Sequence, residues 1–157
     1  MAVLISLEGA AEADKALGKR LSTQVRAILK ALRLERREVS LVLTDDAHIR
    51  ALNAEWRGED KATDVLSFPM DELAPTDERP KTGPLGDIVL SVETTRRDAA
   101  ALGYDEDALA SFLVVHGLCH LLGHDHGEPG EAAAMKAEED RLFALVAPGV
   151  ARPPTPY

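Results

Sequence analysis

The chain has 157 residues, 45% of them hydrophobic, a formal net charge of −9 and a single cysteine. That size and apolar content fit one domain around one substantial core. The acidity argues against indiscriminate nucleic-acid binding, and a lone thiol excludes an internal disulfide.

Residues 1–10 lack the basic and apolar halves of a secretion signal. The apolar run Ala108–Val115 is far shorter than the roughly 20 residues of a membrane span. A soluble, cytoplasmic protein with no membrane partner is expected.

Val3–Leu7 reads as a first strand. A helix is expected from Ala13 to Leu34, with Leu17, Leu21, Val25, Ile28 and Leu32 forming one core-facing stripe. Residues 15–37 hold eight bases and one acid, Glu35. Lys19, Arg26, Lys30, Arg33 and Arg37 fall opposite the stripe as a positive ridge. A solvated helix face explains that ridge as well as contact with an RNA backbone or a ribosomal surface does. Glu38–Leu43 alternates as a second strand, and Thr44, Asp45 and Asp46 cap a helix from Ala47 to Trp56. Strand, helix and strand in that order suggest a crossover with the first two strands parallel. Val65–Phe68 is the third strand, stopped by Pro69.

Met70–Gly86 carries Pro75, Pro80 and Pro84 without periodicity, and reads equally as a mobile flap or a disordered insertion. Asp87–Val92 gives the fourth strand. Helices then follow over Glu93–Leu102, Glu106–Leu122 and Gly130–Val146, the last acidic and alanine-rich. The whole is an α+β fold: one domain over 1–147, with a small mixed four-stranded sheet and about five helices. Residues 148–157, with four prolines, are expected as a disordered tail.

Four of the five histidines lie in the eleven residues 116–126, HGLCHLLGHDH. His116 and His120 are i and i+4, so a helix puts both rings on one face. Gly123 stands where the helix would stop, because glycine takes the left-handed conformation without a Cβ clash. The chain can then turn back and bring His126 to the same point. Three neutral imidazoles suit one zinc ion per chain with a fourth position left for water. The metal site therefore falls at the end of the central helix. His124, in the turn, is a candidate for substrate contact or solvent, and Cys119 for a small buried apolar residue.

The spacing is that of the metzincin proteases, HExxHxxGxxH, except that Gly117 stands where their general-base glutamate would be. Peptide hydrolysis would lack its proton acceptor. Water on zinc, whose pKa falls toward about 7, needs no strong base. Asp125 could orient an imidazole, although capping the turn explains it as well. Arg57, before Gly58 in a polar turn, is the candidate catalytic cation for a phosphoryl oxyanion. A plain surface arginine is the competing reading.

Three stretches, Leu52–Pro69 (LNAEWRGEDKATDVLSFP), Gly86–Leu90 (GDIVL) and His116–His126, resemble the bacterial YbeY proteins, endoribonucleases of ribosomal RNA maturation. The resemblance implies that His116, His120 and His126 are zinc ligands, that Arg57 is functionally important and that Gly117 belongs to the family pattern. Cys119 and His124 depart from its commonest form, which has leucine and tyrosine there. It further implies a zinc-dependent, single-strand-specific endoribonuclease acting in 3′-end maturation of small-subunit ribosomal RNA and in ribosome quality control. Ribosomal RNA, a small-subunit ribosomal protein and an assembly GTPase would be its partners. RNA would be read by shape, since the six aromatic residues suggest no stacking face. Two alternatives stay open: a ribosome-assembly factor with a structural metal, and a metalloprotease-like hydrolase.

Overall fold

The structure is a computed structural model and describes residues 3–154. The elements run β1 (Val3–Leu7), a 3-10 turn at Gly9–Ala13, α1 (Lys15–Ala31), β2 (Arg37–Thr44), α2 (Asp46–Arg57), β3 (Val65–Pro69) and β4 (Gly83–Ser91). Three helices complete the chain: α3 (Val92–Leu102), α4 (Glu106–Leu121) and α5 (Pro129–Val146). The sheet order is β1-β2-β4-β3. β1 pairs parallel with β2 and β2 with β4, while β3 runs antiparallel to β4. The fold is the single mixed-sheet α+β domain that the pattern suggested.

Alternation along the strands sorts the core. Leu41 and Leu43 of β2, with Ile88 and Leu90 of β4, join the main cluster with Leu21, Val25 and Ile28 of α1 and Leu113 and Leu118 of α4. Val89 and Leu66 face the other way, beneath Ile49 of α2. α4 is buried almost all round, from Ala108 to Cys119, as a helix apolar on every face must be. It is the axle of the domain, and the histidines sit at its C-terminal end. Among the described residues no helix is long and apolar enough to cross a membrane.

Three expectations are corrected. α1 stops at Ala31 rather than Leu34, because Arg33 turns into the left-handed region (φ 59°) and the Leu34 N–H reaches back to the Leu29 carbonyl. Arg37 therefore starts β2 and is no part of the positive ridge. Its side chain is buried, with Nε donating to the Gly83 carbonyl, Nη1 to Asp71 and the Pro80 carbonyl, and Nη2 to Asp71 and the Pro84 carbonyl. A guanidinium so engaged has no donor left for RNA.

The segment after β3 is likewise tied down. Buried Arg79 shares Asp71 with Arg37 and donates to the Ala74 and Leu122 carbonyls, and β4 begins already at Gly83, pairing with Arg37. Proline and glycine hid that strand extension from a reading by periodicity.

The third correction is at the C-terminus. Residues 148–154 pack against the domain: Pro153 is buried, the Tyr104 hydroxyl donates to the Ala151 carbonyl, and Arg152 pairs with Glu139 and Asp140. Residues 155–157 lie outside the described residues.

Because Arg37 and Asp71 form a buried pair, removing one partner strands the other. Arg37→Ala should lower the unfolding free energy by about 3–5 kcal/mol in a urea titration, whereas Arg33→Ala should stay within about 0.5 kcal/mol of the parent.

A pH signature comes from the start of α2. Asp45 caps the helix and accepts the backbone N–H groups of Ala10 and His48 and the His48 ring. The Ala10 N–H first, then the His48 ring and N–H, hold its carboxyl down at about 2 from the ordinary 3.8. The unfolded carboxyl takes up its proton at higher pH than the folded one. The stabilisation is therefore complete above the ordinary value and lost as pH falls from there toward about 2. Urea midpoints measured across that window should fall more steeply for the parent than for Asp45→Ala.

Candidate metal centre

Each imidazole is placed by a different local cause. His116 lies inside α4 and is only 3% exposed. His120, one turn on, is half-buried at the helix end, and His126 is exposed on the turn that follows. That turn depends on Gly123 (φ 91°). A Cβ there would lie 2.1 Å from the Leu73 carbonyl oxygen, so only glycine lets the chain reverse beneath the 70–82 segment. The Leu122 carbonyl, freed by the end of the helix, is taken by Arg79 at 2.8 Å.

The ligand nitrogens of His116, His120 and His126 all lie within 4.8 Å of one another. Neighbours round a tetrahedral zinc stand about 3.4 Å apart, and His126, on the exposed turn, is the ring with room to close the difference. Nδ1 of His116 and Nδ1 of His120 each have a hydrogen-bond partner. His116 Nδ1 is 2.5 Å from Glu139 Oε2, and His120 Nδ1 is 3.0 Å from the His124 carbonyl oxygen. With Nδ1–H donating in each, the lone pair lies on Nε2, the arrangement that outer hydrogen bonds impose on metal-binding histidines. Burial first, then the neighbouring His116 and His126, push the His120 pKa down to about 4. Its ring is therefore neutral, as a ligand must be. This donor set fits a borderline divalent cation such as zinc. The three histidines could hold a metal ion, and a cavity of about 240 Å³ lined by His116, His126, Met135, Lys136 and Glu139 adjoins them.

Glu139 is the residue that sequence reasoning missed. It is 2% exposed on α5. Burial alone would raise its pKa, but hydrogen bonds from His116 and Arg152, with the Arg152 charge, hold it below the usual carboxylate range. A signal was there to read: Met135, Glu139 and Phe143 recur at i, i+4 and i+8, which sets a carboxylate in the apolar stripe of the helix.

Other candidates fall outside the triad. The His124 side chain is half-buried, and burial lowers its pKa. Asp125 Oδ1 accepts the backbone N–H of His126, so it braces the turn. Cys119 is fully buried, and burial pushes its thiol above the ordinary range, as befits an inert apolar position. Arg57 ends α2, exposed, with Nη2 donating to the Ser67 carbonyl of β3. Beside it Trp56 is 65% exposed and meets Phe68 edge-on at 6.4 Å. The domain thus presents an aromatic face after all, because α2 covers only part of the sheet. Lys19, Arg26 and Lys30 are exposed on α1 and Arg33 in the turn after it. Arg26 also bonds Ser22 and Thr23 on its own helix.

The model of the family described as Endoribonuclease YbeY matches residues 6–147. The chain belongs to the YbeY family.

A Rhizobium meliloti protein named Endoribonuclease YbeY is 54% identical over 108 residues, 68% of this chain and 62% of its own length. A Myxococcus xanthus namesake is 46% identical over 78% of this chain and 41% of its own length. One from Pelotomaculum thermopropionicum is 41% identical over 91% of this chain and 95% of its own. The match thus spans less than two thirds of the first two relatives. In fold, the solution structure of TM1509 from Thermotoga maritima is similar, with a TM-score of 0.65 over 95% of this chain and 99% of that one at 22% identity.

Gly117 separates the motif of this chain from that of the metzincins, and the fold supplies a reason. A Cβ at 117 would stand 3.1 Å from Ile88 Cγ2, so α4 crosses β4 at glycine distance. Gly117→Ala sets that tight contact against the roughly 1 kcal/mol that alanine gains over glycine inside a helix, so it should shift stability by no more than about 1 kcal/mol in a thermal or urea melt. Gly117→Glu should fail to fold rather than gain peptide hydrolysis.

Proposed function

We propose that this chain is a zinc-dependent, single-strand-specific endoribonuclease that matures the 3′ end of small-subunit ribosomal RNA and serves ribosome quality control in the cytoplasm. Residues 1–147 would be its catalytic domain. The observation that carries this reading is the convergence of three imidazoles, two of them with the outer nitrogen engaged, in a chain of the YbeY family.

His116, His120 and His126 hold the ion. When bound, zinc supplies Lewis acidity and acidifies water. Glu139 and the His124 carbonyl orient two of the rings. Gly117 leaves the face of α4 without a carboxylate base, which speaks against a protease-like reaction. Arg57 contributes a cation for the phosphate as negative charge grows on its oxygens, and its bond to Ser67 anchors the guanidinium on β3. Lys19, Arg26, Lys30 and Arg33 align the RNA backbone or a ribosomal surface. A small-subunit ribosomal protein and an assembly GTPase are the proposed partners, on the family resemblance alone.

The rival reading, a ribosome-assembly factor with a structural metal, draws on the depth of His116 and on Glu139 joining α5 to α4. Metal analysis of freshly purified protein, with cleavage of a defined precursor RNA, separates the two. Arg57→Ala should stay folded, keep one zinc and lose about 10²–10³ in rate. Undiminished cleavage by Arg57→Ala sinks its catalytic role. A folded, zinc-loaded parent that leaves every RNA intact favours the assembly factor.

A further inference from the structure

We propose that the segment after α5 sets the metal affinity of the centre, with Arg152 acting through Glu139 as a positioning residue for His116. The proposal rests on the metal-centre reading above and adds a part of the chain that the family match does not reach, since that match ends at residue 147. Glu139 uses its two oxygens in different directions: Oε2 faces His116 Nδ1 at 2.5 Å, and Oε1 accepts Arg152 Nη2 at 2.7 Å. Arg152 Nη1 is also bonded to Asp140 at 2.8 Å, and the guanidinium lies 4.8 Å from the centre of the Phe112 ring. Next to it in the chain, the Ala151 carbonyl is held by the Tyr104 hydroxyl. Arginine is thus pinned on three sides and fixes the carboxylate plane.

The physics of a buried carboxylate gives this contact its consequence. With both oxygens engaged, Glu139 has one orientation, and it fixes the proton on His116 Nδ1 and the lone pair on Nε2. Removing the guanidinium leaves one oxygen buried without its charged partner. The carboxylate then gains from rotating toward water, and the imidazole loses its guide. An opposing effect exists, since the Arg152 charge draws electron density from Glu139 and makes His116 a slightly poorer donor. Loss of orientation should win, because outer hydrogen-bond partners of metal ligands are worth about 10–100-fold in affinity.

The test is zinc affinity of the full chain by competition with a chromophoric chelator, with circular dichroism to follow folding. Arg152→Gln keeps the first part of the aliphatic stem and removes the guanidinium with its charge; it should weaken zinc binding about tenfold, the low end of that range. Arg152→Lys should recover most of the loss. In a Glu139→Gln background, Arg152→Gln should change affinity little further, which tail packing alone would not predict. Equal zinc affinity of Arg152→Gln and the parent overturns the proposal, as does a melted Arg152→Gln chain, which would make the arginine a stability residue instead. A parent chain that binds no zinc sinks the metal-centre reading itself, a result distinct from either.

Discussion

The structure turns on one buried contact, the imidazole of His116 against the carboxylate of Glu139. Neither group belongs in an apolar interior alone, and each makes the other admissible. The contact joins α4, the central helix, to α5, and it settles which ring nitrogen faces the site. Around it the domain is ordinary: a mixed sheet, apolar on the face that meets α1 and α4, with α2 on the other. The polar expense is concentrated at the C-terminal end of α4, where a helix end leaves carbonyls to be satisfied. One of them, on Leu122, is met by Arg79.

Much of this was legible beforehand. β1, β2, α2 and α4 declared themselves through alternation, caps and a continuous apolar run. The triad was legible because i, i+4 spacing followed by a helix-stopping glycine is a local pattern, decided within eleven residues. What stayed hidden was non-local. Arg37 looks like the last cation of a helical ridge, and only the pairing of β2 with Gly83–Ser91 shows that it is enclosed. Glu139 lies 23 residues from His116, and the local pattern of α5 favours a solvated acidic helix. Arg152 sits among prolines that read as disorder, yet its guanidinium finds two carboxylates on α5. In each case the side chain's place is fixed by an ion pair with a residue distant in the chain.

The histidine spacing shared with the metzincin proteases differs from theirs at one position, Gly117. Ligand spacing is a property of one helix and one turn, so it can recur wherever those are built. The general base of a metzincin stands on the same helix, and here that position is taken up by contact with Ile88. The close passage of α4 over the sheet trades a carboxylate for packing. No such carboxylate stands on α4 here, and under the proposed function water acidified by the ion would need none.

Under the proposed function, three imidazoles from this chain share one ion and leave a position open. X-ray absorption at the zinc edge of the metal-loaded protein tests it most directly, because multiple scattering counts coordinated imidazole rings. Three rings with Zn–N distances of about 2.0–2.1 Å and one further light atom that exchanges with solvent are expected. Four rings, with His124 included, or two rings with the rest of the shell made by other side chains, would contradict it.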